Sequence, residues 1–204
     1  MRRSFLIVIG LIVCLGIGWL ALGASGAQVS LAQSSCDDPF EGQRVLFNTS
    51  YWERTDFCQH SIAYDEVLSG GPPPDVIPPI DNPQFEAIDS AETWLQPQSP
   101  VLALELEGEV RGYPLAILTW HEIVNDIVSD IPIAVTFCPL CNSAFVFDRR
   151  VGDDVLRFGV SGNLRNSNLI MWDDQTQSWW QQFTGEAIVG SYTGTQLTEY
   201  PALI

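Results

Sequence analysis

The chain opens on Arg2 and Arg3 and then runs from Phe5 to Leu22 without a charge, through Leu, Ile, Val and Gly. A positive start followed by an apolar stretch predicts an export segment. Small residues at Ser25-Gly26-Ala27 and Ser30-Leu31-Ala32 offer cleavage points. The run also sits at the ~18-residue lower limit for crossing a bilayer. A cleaved signal peptide and a retained membrane anchor are therefore both open for residues 1–32. Cys14 follows Val13 rather than the small residue of a lipoprotein cleavage site, so it is read as one more apolar side chain.

Beyond this segment, Ser61 to Leu68 permits a short helix, and Gly70-Gly71-Pro72-Pro73-Pro74 ends it. Pro78, Pro79 and Pro83 prolong the irregular stretch, but Val76, Ile77 and Ile80 within it predict an ordered strap packed across a domain rather than a free linker. Gln84 to Leu95 permits a second short helix, broken at Pro97. From Val101 to Glu107 the period becomes two, with Leu102, Leu104 and Leu106 against Ala103, Glu105 and Glu107, which predicts a half-buried strand. Gly108-Glu109 is the expected turn into Val110–Tyr113, closing a hairpin.

Further strands are predicted at Ile131–Phe137, Ala144–Arg149, Val155–Val160, Leu169–Trp172, Trp179–Phe183 and Ala187–Tyr192. Turn signals separate them at Gly152-Asp153, Gly162-Asn163, Asp173-Asp174 and Gly185. One helix is expected among them, over Leu115–Asp126. Many short strands at this spacing predict a mainly β fold, an antiparallel sandwich or barrel-like domain with a few short helices. The organisation read from the sequence is a signal or anchor at 1–32, an N-terminal extension at 33–60 and a β-rich domain at 61–204.

Composition narrows the partners. The 204 residues are 46% apolar and only 17% charged, enough for a packed core and too few charges for a disordered polymer. All nine basic residues are Arg, against 25 acidic ones, for a formal charge of −16. Nucleic acid is disfavoured as a partner because phosphate contacts need a basic stripe. The same field attracts cations, although a solvated acidic surface needs no partner at all. A membrane is met only through the N-terminal segment, and a small ligand or protein partner stays unidentified. The localisation expected is extracytoplasmic, periplasmic or secreted.

An oxidising compartment changes the meaning of the remaining cysteines, which fall into two pairs. Cys36 and Cys58 flank a polar and aromatic stretch, and the pair is expected to form a structural disulfide. Cys138-Pro139-Leu140-Cys141 places two thiols where they can share a disulfide or a metal. The residues that follow predict a strand, so the helix N-terminus that lowers a thiol pKa in thioredoxin-like proteins is not expected. A strand, turn and strand around Cys-Pro-x-Cys is closer to a metal-binding knuckle, but the chain carries one knuckle where rubredoxins and zinc ribbons carry two. A third ligand would come from His60 or His121, and His121, in Trp120-His121-Glu122, is the better placed. Two Cys and one His suit a soft or borderline ion, Cu(I) or Zn(II), with Glu122 and Asn125 orienting the ligands. Metal binding, redox cycling and a static disulfide remain open at this stage, as does a packing role for His121.

A second constellation gathers hydroxyls, amides, carboxylates and indoles: Ser161, Asn163, Asn166, Ser167, Asp173, Thr176, Ser178, Trp179, Trp180, Gln181, Gln182 and Glu186. Such groups line sugar-binding clefts, with Asp173 and Glu186 as a conceivable carboxylate pair. The simpler reading gives Asp173 and Thr176 to a turn and one Trp ring to a core. Gly159-Val160-Ser161-Gly162 is not a nucleophile elbow, and no Walker loop or dinucleotide fingerprint is present.

The residues resemble a bacterial family, the domain of unknown function 3179 group. The resemblance rests on Gly70-Gly71-Pro72, Asp75, Ile77-Pro78 and Asp81-Asn82-Pro83; on Arg111-Gly112-Tyr113-Pro114-Leu115; and on Trp120 through Asp126. It continues through Val135-Thr136-Phe137-Cys138-Pro139-Leu140-Cys141, Phe147-Asp148-Arg149, Phe158 through Gly162, Asn166-Ser167, Asp173, Thr176, Trp179, Gly185-Glu186-Ala187 and Gly190. It covers roughly residues 60–204 and implies an exported protein, here similar to a C-terminally shortened member. It also implies that His121, Glu122, Cys138 and Cys141 form one cluster, and it implies no particular reaction. The expectation is an exported β-rich protein with a Cys-x-x-Cys/His site for soft-metal binding or thiol redox chemistry. The alternative is a non-catalytic glycan- or protein-binding domain with both cysteine pairs as staples, its cleft built from Ser161, Asn166, Asp173, Trp179 and Glu186.

Overall fold

In the computed structural model, which describes residues 36–204, the Pro-rich stretch lies between two short strands, β1 (Val67–Ser69) and β2 (Ile80–Asp81). A single helical turn, α1 (Ile88–Ala91), precedes the hairpin of β3 (Val101–Leu106) and β4 (Glu109–Pro114). Helix α2 (Leu115–His121) then feeds a meander of β5 (Ile123–Val128), β6 (Ile131–Cys138) and β7 (Ser143–Asp148). A ribbon of β8 (Arg150–Val151) and β9 (Asp154–Val155) leads to β10 (Phe158–Arg165), β11 (Asn168–Asp173), β12 (Trp179–Gln181) and β13 (Glu186–Val189). The chain ends on β14 (Glu199–Tyr200) and β15 (Ala202–Leu203).

These strands make one five-stranded sheet in the order β1-β10-β11-β12-β13, a second in the order β14-β7-β6-β5-β2, and a three-stranded sheet β15-β3-β4. Every pairing is antiparallel except that of β2 with β5. The fold is thus mainly β and antiparallel, in stacked sheets. Three hairpins turn on residue pairs with positive φ, Glu107-Gly108, Ser129-Asp130 and Asn166-Ser167, the geometry whose twist matches that of the strands it joins.

Strand β6 shows why the layers stack. Its residues Ile131–Cys138 read as a nearly continuous apolar run, as a strand covered on both faces must. Ile133, Val135 and Phe137 pack with Leu102, Leu104, Tyr113 and Leu118 of the three-stranded sheet and α2. Ala134 and Cys138 pack the other way, with Phe158, Met171 and Trp180 of the first sheet. The outer face of that first sheet is covered in turn by Phe47, Trp52, Ile62 and Tyr64, which meet Ile170 and Trp179. Residues 36–60 therefore act as a lid on the core of the β domain.

The proline-rich strap is ordered, as Ile77 and Ile80 suggest, and each packs against a core. Asp75, at φ 56, inserts its carboxylate against β10: Oδ1 accepts from Val160 N at 2.8 Å and Trp172 Nε1 at 3.1 Å, and Oδ2 from Arg157 Nη1 at 2.7 Å. A Cβ at Gly162, whose φ is +75, would lie 1.9 Å from Pro72 O, so the strap crosses β10 where only glycine leaves room.

Several boundaries differ from the pattern-based reading. Leu115–Asp126 is not one helix: α2 stops at His121, Glu122 takes φ 58, and the β-branched residues that follow enter β5. Gly162-Asn163 is not a turn but a bulge within β10, where the register to β11 shifts. Ser61–Leu68 reduces to one 3-10 turn at Tyr64–Glu66 followed by β1, and Gln84–Leu95 keeps only α1, whose Ile88 faces solvent. Val155–Val160 is interrupted at Leu156 and Arg157, between β9 and β10. The export segment at 1–32, with Cys14, lies outside the described residues.

Candidate functional site

The thiol pair sits at the tip of the β6–β7 hairpin. Cys138 is the last residue of β6 and pairs with Ser143, the first of β7, so Pro139, Leu140, Cys141 and Asn142 form the connection. Asn142 adopts φ 48, a conformation Asn tolerates better than most residues. Both thiols are free; Cys138 is buried and Cys141 is exposed. The difference follows from the strand: Cys138 continues the inward alternation of Ala134, while Cys141 lies beyond the last ladder pair.

Different surroundings push the two thiols in opposite directions. Burial raises the pKa of Cys138, and donation of its proton to Cys141 adds to the rise. Burial alone would raise Cys141 too, but hydrogen bonds from Cys138, Ser143 and Asn168 outweigh it and bring this thiol below its usual range. The Ser143 hydroxyl is 3.0 Å from Cys141 Sγ, and Asn168 Nδ2 donates to the same sulfur at 3.2 Å. Asn168 is fixed by a buried chain of amides. Its Nδ2 also donates to Gln182 Oε1 at 2.7 Å, and its Oδ1 accepts from Gln181 Nε2 at 2.5 Å and Phe183 N at 3.0 Å. Gln182 Nε2 donates onward to Thr136 Oγ1 at 3.1 Å and Ser143 O at 3.2 Å. The donors aimed at Cys141 are thus preorganised by partners on both large sheets.

The other expected members of this cluster face elsewhere. Phe137 N donates to Glu122 O at 2.8 Å, so the Trp120-His121-Glu122 backbone abuts the strand that carries Cys138. His121 nevertheless directs Nδ1 to Pro78 O at 2.7 Å, holding the strap. Asn125 is spent on the strap and β10, with Nδ2 donating to Asp81 Oδ1 at 2.9 Å and Phe158 O at 2.8 Å, and Oδ1 accepting from Phe158 N at 2.9 Å. Burial pushes the Glu122 carboxyl up to about 7. Among the described residues, no group of three or more His, Cys, Asp or Glu side chains is placed to hold a metal ion. His121 therefore does not join the sulfurs as a third ligand, and Glu122 and Asn125 have no ligand set to orient.

The remaining sequence candidates are dispersed. Cys36 and Cys58 form the expected disulfide. His60 Nδ1 lies 2.7 Å from Ile62 O, with its ring beside Tyr64. Ser161 is buried and bonds Ile170 O, while Asn166 sits at an exposed hairpin turn. Asp173 is buried too, accepting from Thr176 N at 2.6 Å and Trp180 Nε1 at 2.9 Å, the turn-shaping task. Trp179 and Trp180 are each 0% exposed, on opposite faces of β12. Neither ring offers a face to a sugar, because both sides of this sheet are covered. Glu186 is half-buried, with Ser61 Oγ at 3.4 Å. These residues do not line one cleft.

Sequence reasoning missed Ser143, Asn168 and Thr136, and met Gln181 and Gln182 only within the sugar-binding constellation that it weighed against a structural role. Ser143 was within reach, two positions after Cys141. Asn168 and Thr136 carried a weaker signal, polar side chains inside otherwise apolar strands, and only the docking of the sheets says what they meet.

Compared with known proteins, residues 74–204 match the family described as Protein of unknown function (DUF3179), which spans well over half of the chain; the chain belongs to that family. No curated protein and no solved structure matches it.

Proposed function

We propose that in this member of the DUF3179 family the Cys138–Cys141 pair is a thiol–disulfide exchange site, with Cys141 as the attacking sulfur and Cys138 as the resolving one. The asymmetry of the pair carries this reading. The exposed thiol is held low by three hydrogen bonds, and its neighbour is kept protonated by burial. Only the thiolate is nucleophilic, so the group that ionises first is also the one a substrate can reach.

In the first step the Cys141 thiolate attacks one sulfur of a substrate disulfide. That S–S bond breaks, a mixed disulfide forms on Cys141, and the released sulfur leaves as a thiolate that takes a proton from water. In the second step Cys138 loses its proton to water and attacks Cys141 Sγ. The substrate leaves as a dithiol, reduced by two electrons, and Cys138 and Cys141 end as a disulfide, oxidised by two. Run in reverse, the same steps oxidise a dithiol. Ser143 and Asn168 position and stabilise the Cys141 thiolate throughout. Export, which the N-terminal run implies, would place the site among disulfide-bonded proteins. A soft-metal site is the weaker reading, since the third ligand it needs is turned toward Pro78.

Trapping tests the assignment. With a disulfide-bonded model peptide, Cys138→Ser should accumulate a mixed disulfide at position 141, seen by mass spectrometry, while Cys141→Ser forms none. Adduct forming first at Cys138, or a Cys141 no more reactive than a free cysteine, would overturn it.

A further inference from the structure

A groove of about 1100 Å³ runs along β4, the free edge of the three-stranded sheet, with residues 83–97 forming its far wall. No cysteine lines it, so it is separate from the thiol site. Its walls are largely hydrocarbon and aromatic. Phe85, Trp94 and Val110 remain 47%, 45% and 67% exposed, an uncommon concentration of large apolar side chains left to water around one concavity. A mostly apolar concavity of this size with a few polar groups is the usual form of a small-molecule site.

The charges beside the groove say what kind of molecule fits. Arg111 is committed to Asp126 and Glu109, each at 2.6 Å, and its guanidinium carbon lies 4.7 Å from the Phe85 ring centroid. Asp126 also accepts from Tyr113 Oη at 2.7 Å. Glu86 accepts from Trp94 Nε1 at 2.6 Å and from the Ser90 hydroxyl. No cation is left over for an anionic headgroup, since the one guanidinium faces four carboxylates, Glu86, Glu92, Glu109 and Asp126. An anionic ligand would have to break the Arg111 pairs and leave a partner unsatisfied, a cationic one would gain only a weak ion pair at the solvent-exposed Glu92, and an uncharged one need break none.

We propose that this groove binds an uncharged, hydrocarbon-rich small molecule of the long-chain alcohol kind. Phe85 and Trp94 form one wall, and Val110 and Ala103 the other. The hydroxyl of such a molecule reaches solvent at the open side, while the chain covers the aromatic faces that water now meets.

The test uses residues 36–204, which form one compact unit with its own cores. Titration with the neutral fluorophore N-phenyl-1-naphthylamine should give saturable enhancement at one site. 1-Dodecanol should displace it at a concentration about tenfold or more below that needed for dodecanoate. Ala103→Trp, which fills the groove from an exposed position on β3, and Trp94→Ala, which removes a wall, should each weaken probe binding about tenfold while leaving the melting temperature near that of the parent. Cys141→Ser should bind like the parent, so failure of the thiol reading leaves this one standing. Absence of saturable binding, equal displacement by dodecanoate, or binding indifferent to Ala103→Trp would each overturn the proposal. So would light scattering that finds a dimer dissociated by Trp94→Ala, since a second copy would then be the occupant.

Discussion

Asn168 reaches the sulfur of Cys141 from another sheet: its Nδ2 lies 3.2 Å from Sγ, although β11 belongs to the first five-stranded sheet and the cysteine hairpin to the second. The ionisation of the exposed thiol therefore depends on how the sheets dock, and the hairpin alone would not reproduce it. A charge-assisted hydrogen bond contributes about 1.5 kcal/mol or more, close to one pH unit of thiol ionisation. Ser143→Ala removes the hydroxyl beside Cys141, together with its bond to Gln182 Oε1 at 3.1 Å, but leaves the Asn168–Gln182 bond in place. Its rate of alkylation by iodoacetamide should follow a pH profile displaced upward by about one unit. A profile superimposable on the parent's would show that the hydroxyl does not support the thiolate.

Asn168→Ala tests the same sulfur and a structural cost together. It would leave Gln181 Nε2 and Phe183 N without their buried partner, at about 1–3 kcal/mol for each unsatisfied group, and Gln182 Oε1 with the Ser143 hydroxyl alone. Urea unfolding should register a larger loss of stability than for Ser143→Ala, which removes one bond to the chain rather than three. Equal midpoints for the two variants would mean that the amide chain relaxes without cost.

Glu122 gives the protein a pH dependence of its own. Burial raises its carboxyl from 4.5 to about 7, so across that interval the folded protein holds a proton that the unfolded chain has released. The stability this adds is fully present below pH 4.5 and is lost as the pH rises through about 7. The loss is at most about 3 kcal/mol, reduced by screening because the carboxyl is not fully buried. Glu122→Gln should flatten the change in unfolding free energy between those limits. An undiminished slope in the variant would place the titrating group elsewhere.

Asp75 pins the strap through Val160 N, Trp172 Nε1 and Arg157. Asp75→Ala strands Val160 N and Trp172 Nε1, leaves Arg157 to Asp81 alone, and should cost about 2–4 kcal/mol in urea unfolding, while Asp75→Asn, which keeps an acceptor, should cost less. Gly159→Ala should phenocopy the loss, since its Cβ would lie 2.4 Å from both Asp75 Oδ1 and Trp172 Nε1. A strap indifferent to Asp75→Ala would be held instead by Ile77 and Ile80, by the bonds from His121 and Asn125, and by the pairing of β2 with β5.

The Cys36–Cys58 bridge closes a loop with a sequence separation of 22. Replacing both residues by Ser should lower stability by about 3 kcal/mol. The loss should appear in the lid over Trp179, as faster hydrogen exchange at Phe47 and Trp52 than at Ile133. Uniform exchange throughout would mean that the lid and the sheets unfold together.

The hairpin of β3 and β4 was plain from its alternation, because one face of each strand meets a core and the other meets water. The cysteine hairpin was equally plain, as strand, turn and strand. Leu115–Asp126 was misjudged because a run of apolar residues suits a helix or a doubly covered strand, and the positive φ of Glu122 that divides the two has no signature in residue type. Gly162 looked like a turn because the need for glycine there comes from Pro72, in the strap ninety positions earlier in the chain. The Trp pair left a ligand cleft open beside a core role, because nothing local reveals that both faces of its sheet are covered.

Residue order on its own settled that the β3–β4 and cysteine hairpins form, where most hairpins reverse and which cysteines stand close, since each depends on side-chain alternation and turn chemistry over a few positions. Which sulfur is exposed, which amides stand behind it and where His121 points were decided by tertiary structure. Those outcomes depend on the stacking of sheets whose contacting residues lie far apart along the chain, and hydrogen bonds spanning that distance exist only after the layers have packed.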